Sequence, residues 1–261
     1  TLMFLISVLF VQALGFSANA QDIKQTRVLF VGNSLTYVGN VPAVYKELSR
    51  VNGRDVEVDM LAQPGATLSE RWQDGSVVQA MQSGSYSMLV LQERGADLMC
   101  GVGDETCDEA KTSLAQLIKL AQAKQAKVYV LGTYQTLPAA SRNLVANESA
   151  VARLYGAEYV EISETFARLR AKLPELAWFS HDGTLHPGAD LALLDAILLF
   201  RTVYGALPLP SDLQVKAPIY TVKVGPTMEL GAARSASVAA KLQDHQSYSK
   251  DTVVSVLHQL Q

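Results

Sequence analysis

The feature that most constrains this chain is a series of short apolar runs interspersed with segments whose apolar residues recur at helical spacing. The runs fall at Arg27 to Val31, Val56 to Leu61, Met88 to Gln92, Lys127 to Gly132 and Glu158 to Ile162. In the first, Val28-Leu29-Phe30-Val31 has no polar residue at alternate positions, the pattern of a strand covered on both faces. Val41 to Val51, Asp108 to Lys124 and Ser141 to Tyr155 predict helices, with Asp108 suited to a helix N-terminus. Helices placed between strands call for parallel crossover units in one domain. The expected fold class is α/β, a five-stranded parallel sheet between two helical layers, that is, a three-layer α/β/α sandwich.

Before this region, Leu2 to Gly15 is an uncharged, mostly apolar run, followed by Ser17-Ala18-Asn19-Ala20 and then polar Gln21-Asp22. That order reads as the apolar part of a signal peptide with an Ala-x-Ala cleavage site, and it leaves a mature chain of about 240 residues from Gln21. A retained anchor is the competing reading, but the run is shorter than the ~20 residues a spanning helix needs. The expectation is therefore a periplasmic or secreted protein with no stable membrane insertion after signal removal. Cys100 and Cys107, the only cysteines, flank six residues and can form a local disulfide in an oxidising compartment; otherwise they are two free thiols. A net charge of −3 and the absence of a basic patch exclude nucleic-acid binding as the main expectation. The 49% hydrophobic content of 261 residues is enough for a sizeable core.

Leu191 to Tyr204 predicts a nearly continuous apolar packing helix, too short for a membrane span. After Leu207 come Pro208 and Pro210, a strand expected at Ile219 to Val224, and helices expected at Met228 to Leu242 and Lys250 to Leu260. The expected division is residues 1–20 as leader, 21–206 as the α/β domain, and 207–261 as an extension packing on it or extending it.

Chemistry is expected where strands end. Val31 is followed by Gly32-Asn33-Ser34, which puts a serine just past a strand's carboxyl end, the edge where open parallel sheets bind ligands. As three turn-forming residue types, the tripeptide is by itself also an ordinary turn. Gly65, in Gln63-Pro64-Gly65-Ala66, lets the backbone approach a ligand closely or simply turns the chain. Gln92-Glu93-Arg94-Gly95 ends the third run, with Glu93 and Arg94 expected to pair with each other or with solvent. Tyr37, Thr133 and Tyr134 are candidate pocket residues, and the segment from Cys100 to Cys107 is a candidate wall. Far downstream, Asp182-Gly183-Thr184-Leu185-His186-Pro187-Gly188 joins an acid and a histidine in a loop, preceded by Trp178-Phe179-Ser180-His181.

Taken together, Gly32-Asn33-Ser34-Leu35, Gly65, Gln92 and the late Asp182 and His186 resemble the SGNH (GDSL-type) hydrolase family over roughly residues 27 to 205. The resemblance implies a flavodoxin-like strand order 2-1-3-4-5. It also implies Ser34 as nucleophile, His186 as general base and Asp182 as the acid that orients it, with an oxyanion hole made by the N–H groups of Ser34 and Gly65 and the Gln92 amide. Two departures from the family pattern stand out: Gln92 occupies the place of an Asn within Gly-x-Asn-Asp, and three residues rather than two separate Asp182 from His186. The activity implied is a serine esterase acting on carboxylic esters, acetyl esters of carbohydrates among them, with a small-molecule or carbohydrate ester as partner. The competing class is a non-catalytic glycan- or partner-binding module on the same fold, and a nearer alternative is an acyltransferase. His181, Asp182 and His186 also form a weak zinc pattern. A flavin site would need a glycine-rich phosphate loop that residues 33–37 lack. His245 and His258 are expected on the surface. No cofactor and no metal are expected.

Overall fold

Both faces of the first apolar run are buried, which explains its lack of alternation. In the computed structural model, which describes residues 25–101, 104–181, 184–226 and 243–261, Val28 and Phe30 face one hydrophobic cluster and Leu29 and Val31 the opposite one. All four are fully buried, and each such side chain stabilises the fold by about 2 to 3 kcal/mol. They belong to β1 (Thr26–Gly32), an interior strand of the sheet.

Five strands form one sheet: β1, β2 (Val56–Ala62), β3 (Met88–Leu91), β4 (Lys127–Leu131) and β5 (Glu158–Val160). Their order is β2-β1-β3-β4-β5 and every pairing is parallel, with Val28 opposite Val58 on one side and Met88 on the other. The connection after β1 carries α1 (Ser34–Tyr37) and α2 (Val41–Val51). After β2 come α3 (Leu68–Gln73) and α4 (Ser76–Ser83), after β3 α5 (Glu105–Ala123), and after β4 α6 (Pro138–Tyr155). Two further helices, α7 (Ser163–Lys172) and α8 (Ala189–Tyr204), follow β5. Residues of α2, α7 and α8 cover the face that holds Phe30 and Val90, while those of α4, α5 and α6 cover the face that holds Leu89 and Val130. The result is the expected three-layer sandwich.

Residues beyond 206 add a two-stranded antiparallel sheet, β6 (Leu213–Val215) with β7 (Gln246–Tyr248), and α9 (Lys250–His258). Leu213, Val215, Tyr248, Val253 and Val256 join the same cluster as α2 and α8. The strand expected at Ile219 to Val224 does not form as an element. Ile219 and Tyr220 make only isolated bridges, to Gln243 and Val38, and Thr221 to Val224 closes a turn. The physical reason is burial of single residues rather than of a face: Tyr220 packs edge-on against Tyr37 while its neighbours stay partly exposed. The leader and the helix expected at Met228 to Leu242 lie outside the described residues. Cys100 and Cys107 are joined in a disulfide with Cα atoms 5.1 Å apart. No helix among the described residues is long and apolar enough to cross a membrane.

Candidate active site

The strand order reverses direction at β1, whose neighbours β2 and β3 lead away to opposite sides of the sheet. The crevice outside the carboxyl ends at such a point is the general ligand site of open α/β sheets. Ser34, from the end of β1, sits there as the first residue of α1. Asn33 caps that turn: its side chain accepts from the Leu35 N–H at 3.0 Å, and its carbonyl accepts from Thr36 and Tyr37. The segment after β1 is thus a fixed helical turn.

His186 meets Ser34 across 152 positions of sequence, with Nε2 3.0 Å from the serine Oγ. Its other ring nitrogen, Nδ1, lies 2.7 Å from the hydroxyl of Thr184. Several bonds hold this loop against the segment before it. The Ser180 N–H donates to the His186 carbonyl at 3.0 Å, the Gly188 N–H donates to the Trp178 carbonyl at 2.8 Å, and Phe179 bridges to Pro187. The Tyr134 hydroxyl, from the end of β4, donates to the Leu185 carbonyl at 2.6 Å. Phe179 in turn packs on Phe166 and Tyr134, and Trp178 on Phe166. The aromatic pair before the acid–histidine loop therefore forms its foundation. Asp182 and Gly183 lie outside the described residues, and His181 is exposed.

Gly188 is the residue on which this clamp depends. A Cβ there would come within 2.1 Å of the Ala177 carbonyl oxygen and 2.7 Å of that of Phe179, both backbone atoms that cannot swing away. Gly188→Ala is expected to destabilise the fold by about 1 to 3 kcal/mol and to displace the histidine loop. Urea denaturation of the variant checks the first, and a variant with unchanged stability would contradict this account of the clamp.

Gly65 follows β2 in a turn with φ +68°, the left-handed region that favours glycine. Neither its N–H nor that of Ser34 has an acceptor among the described residues. Both residues line one pocket of about 370 Å³ with Leu35, Tyr134, Leu185 and His186. Asn33, after β1, and Arg94, Gly95, Gln135 and Thr136, from the ends of β3 and β4, complete its wall.

Gln92 is not placed with this group, which corrects its expected role in the oxyanion hole. It is 1% exposed, its Oε1 accepts from the Thr36 hydroxyl at 2.7 Å, and its Nε2 donates to the Gly132 carbonyl at 3.3 Å. Two residues after Val90, it keeps the face of β3 that points to α2 and α8, so its side chain enters the core. It serves the site indirectly by pinning Thr36, two residues after the serine. Asp195 of α8 lies nearby, fully buried with neither oxygen in hydrogen-bond geometry among the described residues. Burial holds its carboxyl well above the usual carboxylate range despite the neighbouring Gln92 amide.

Glu93 and Arg94 pair neither with each other's side chains nor simply with solvent. Glu93 is buried and accepts the N–H groups of Leu68 (3.2 Å) and Arg94 (2.8 Å), tying the end of the Gly65 turn to the exit of β3. Burial pushes its carboxyl up to about 7. Arg94 pairs instead with Asp97 at 3.0 Å. Tyr37 is fully buried against Tyr220 rather than lining the pocket, Thr133 is buried with its hydroxyl on Glu148, and the described part of the disulfide loop does not reach the pocket. Sequence reasoning missed Thr184 altogether. Gln135 and Thr136 carried one available signal, their place just beyond an apolar run.

No family profile and no curated relative matches the chain. Solved structures do. A protein assigned to the SGNH hydrolases from Slackia heliotrinireducens superposes with a TM-score of 0.57 at 23% identity, covering 69% of this chain and 99% of the other. The chain has the SGNH-hydrolase fold. A lipase/acylhydrolase from Enterococcus faecalis gives a TM-score of 0.55 at 14% identity over 70% of this chain and 97% of its own. A catalytic mutant of an acetylxylan esterase from Geobacillus stearothermophilus gives 0.54 at 15% identity, over 69% and 94%. On the SGNH fold, the ends of β1 and β2 and the loop before α8 are where this chain holds Ser34, Gly65 and His186.

Proposed function

We propose that this protein is an ester hydrolase in which Ser34 attacks the ester carbonyl and His186 takes and returns the proton. The observation that carries the reading is the 3.0 Å contact between Ser34 Oγ and His186 Nε2 in a pocket at the reversal point of the sheet. A serine hydroxyl is a weak nucleophile, and an imidazole within hydrogen-bond reach activates it. With the ring proton on Nδ1, Nε2 accepts the Ser34 proton as Oγ bonds to the carbonyl carbon. The developing oxyanion is held by the Ser34 and Gly65 N–H groups, each such donor contributing about 3 kcal/mol in enzymes of this kind. Nε2 then protonates the departing alcohol, leaving an acyl group on Ser34. Water, deprotonated by the same nitrogen, releases the acid and restores the serine. Asp182 is the acid we assign to this set from the sequence.

Leu35, Tyr134 and Leu185 give a pocket of about 370 Å³ an apolar side, a size suited to a small acyl group. We propose acetyl esters of carbohydrates as substrates, a reading supported by the acetylxylan esterase among the structural neighbours. The leader-like segment and the disulfide support export. The test is hydrolysis of p-nitrophenyl acetate by the intact protein and by His186→Ala. A loss of roughly 10³-fold or more in kcat is expected for the variant, and equal rates would overturn the assignment of the base.

A further inference from the structure

Among the described residues, the group at His186 Nδ1 is a hydroxyl. Thr184 Oγ1 stands 2.7 Å from that nitrogen and also accepts the His186 backbone N–H at 3.3 Å. Three residues separate Asp182 from His186, and Thr184 is the middle one.

We propose that Thr184 is the positioning residue of the histidine: its hydroxyl oxygen accepts the Nδ1 proton and so keeps Nε2 free to serve as base toward Ser34. The inference rests on the hydrolase reading of Ser34 and His186. Its logic is one of tautomers. A neutral imidazole carries one proton, and Nε2 can accept from Ser34 only when that proton is on Nδ1. An Nδ1–H directed at an acceptor oxygen is held there, whereas an Nδ1 without one leaves the two tautomers to compete. A threonine hydroxyl suits this task because it accepts on a lone pair while its own hydrogen is donated elsewhere. The bond also fixes the plane of the ring, since the same oxygen holds the histidine's backbone N–H. When His186 takes the serine proton, the hydroxyl continues to accept from Nδ1–H of the imidazolium, and the bond strengthens with the charge.

Tyr134 contributes by holding the Leu185 carbonyl, which fixes the backbone between Thr184 and His186.

The test compares Thr184→Val, which keeps the side-chain shape without the hydroxyl, and Thr184→Ser, which keeps the hydroxyl, with wild type, Asp182→Asn and Ser34→Ala on p-nitrophenyl acetate. Loss of a hydrogen bond to an ionised partner predicts a fall of about 10- to 100-fold in kcat for Thr184→Val. KM should change little, because the hydroxyl does not line the pocket. Thr184→Ser should recover most of the rate. Thermal unfolding of wild type and the two Thr184 variants separates this from misfolding: a variant that melts with wild type and still loses kcat supports the assignment. Wild-type kcat in Thr184→Val, beside a strongly impaired Asp182→Asn, would overturn it and return the Nδ1 role to the acid. That result leaves the hydrolase reading standing if Ser34→Ala is inactive. Activity surviving in Ser34→Ala would remove both.

Discussion

Ser34→Ala is expected to lower kcat for p-nitrophenyl acetate by at least about 10⁴-fold, with a residue of activity above the uncatalysed rate. Without Oγ there is no acyl acceptor, and His186 loses the group it contacts at 3.0 Å. The two backbone N–H groups and the pocket survive the substitution, which is why some rate enhancement should persist. Folding should not suffer. The serine side chain is only partly buried, and the turn that holds it is capped by Asn33 and pinned through Thr36. Equal thermal unfolding of the two proteins, together with the kinetic loss, is the expected pair of results.

Glu148→Gln is expected to change how stability depends on pH. The Glu148 carboxyl, on α6, is fully buried and accepts from the Thr133 N–H (3.0 Å), the Thr133 hydroxyl (2.8 Å) and the Tyr159 hydroxyl (2.8 Å). Burial outweighs these three donors and raises it from an ordinary 4.5 to about 7. An acid whose folded value lies above its unfolded one gives its full stability below the unfolded value. That stability is lost as pH rises through the folded one. Between about pH 4.5 and pH 8.5 this group alone therefore costs the native state about 3 kcal/mol. Glutamine does not titrate. Its carbonyl can take the two bonds from Thr133, and its NH₂ can donate to the Tyr159 oxygen, since a phenol also accepts. The stability difference between variant and wild type should accordingly move by about 3 kcal/mol in the variant's favour across that range, read by urea denaturation at both ends. A difference that stays constant would show that the carboxyl does not titrate as described.

The sheet and its flanking helices were legible because burial on both faces leaves an unmistakable pattern. All five strands lie where the apolar runs predict them, and α2 matches its expected bounds. Helices α4 and α7 were not predicted, since Ser76–Ser83 is short and Ser163–Lys172 is rich in charge, so tertiary packing of a few residues such as Val77 and Phe166 decides them. The expected strand near Ile219 failed for the converse reason: local propensity was present, but only Tyr220 found a buried place.

Within the site, residues that follow strands were easy to nominate, because the topology gathers strand ends at one edge. Which way a side chain points there was not. Gln92 has the amide that an oxyanion hole needs, but its position two residues after Val90 sends it into the core. That register becomes meaningful only once it is known which helices cover which face. Glu93 and Arg94, adjacent and oppositely charged, invite pairing on paper, whereas alternation along an extended segment directs neighbouring side chains to opposite sides. Glu93 finds backbone N–H groups and Arg94 finds Asp97. Thr184 carries no sequence signal at all. Its relevance comes from a loop conformation held by Tyr134, Ser180 and Gly188, residues spread over more than fifty positions of the chain.

The most direct test of the central claim is covalent labelling with a fluorophosphonate, which bonds phosphorus to an activated serine oxygen and expels fluoride. The account predicts one adduct per chain, located by peptide mass spectrometry on Ser34, absent from Ser34→Ala and formed far more slowly in His186→Ala. An adduct on a different residue, or full ester hydrolysis by protein whose Ser34 stays unlabelled at excess reagent, would contradict it.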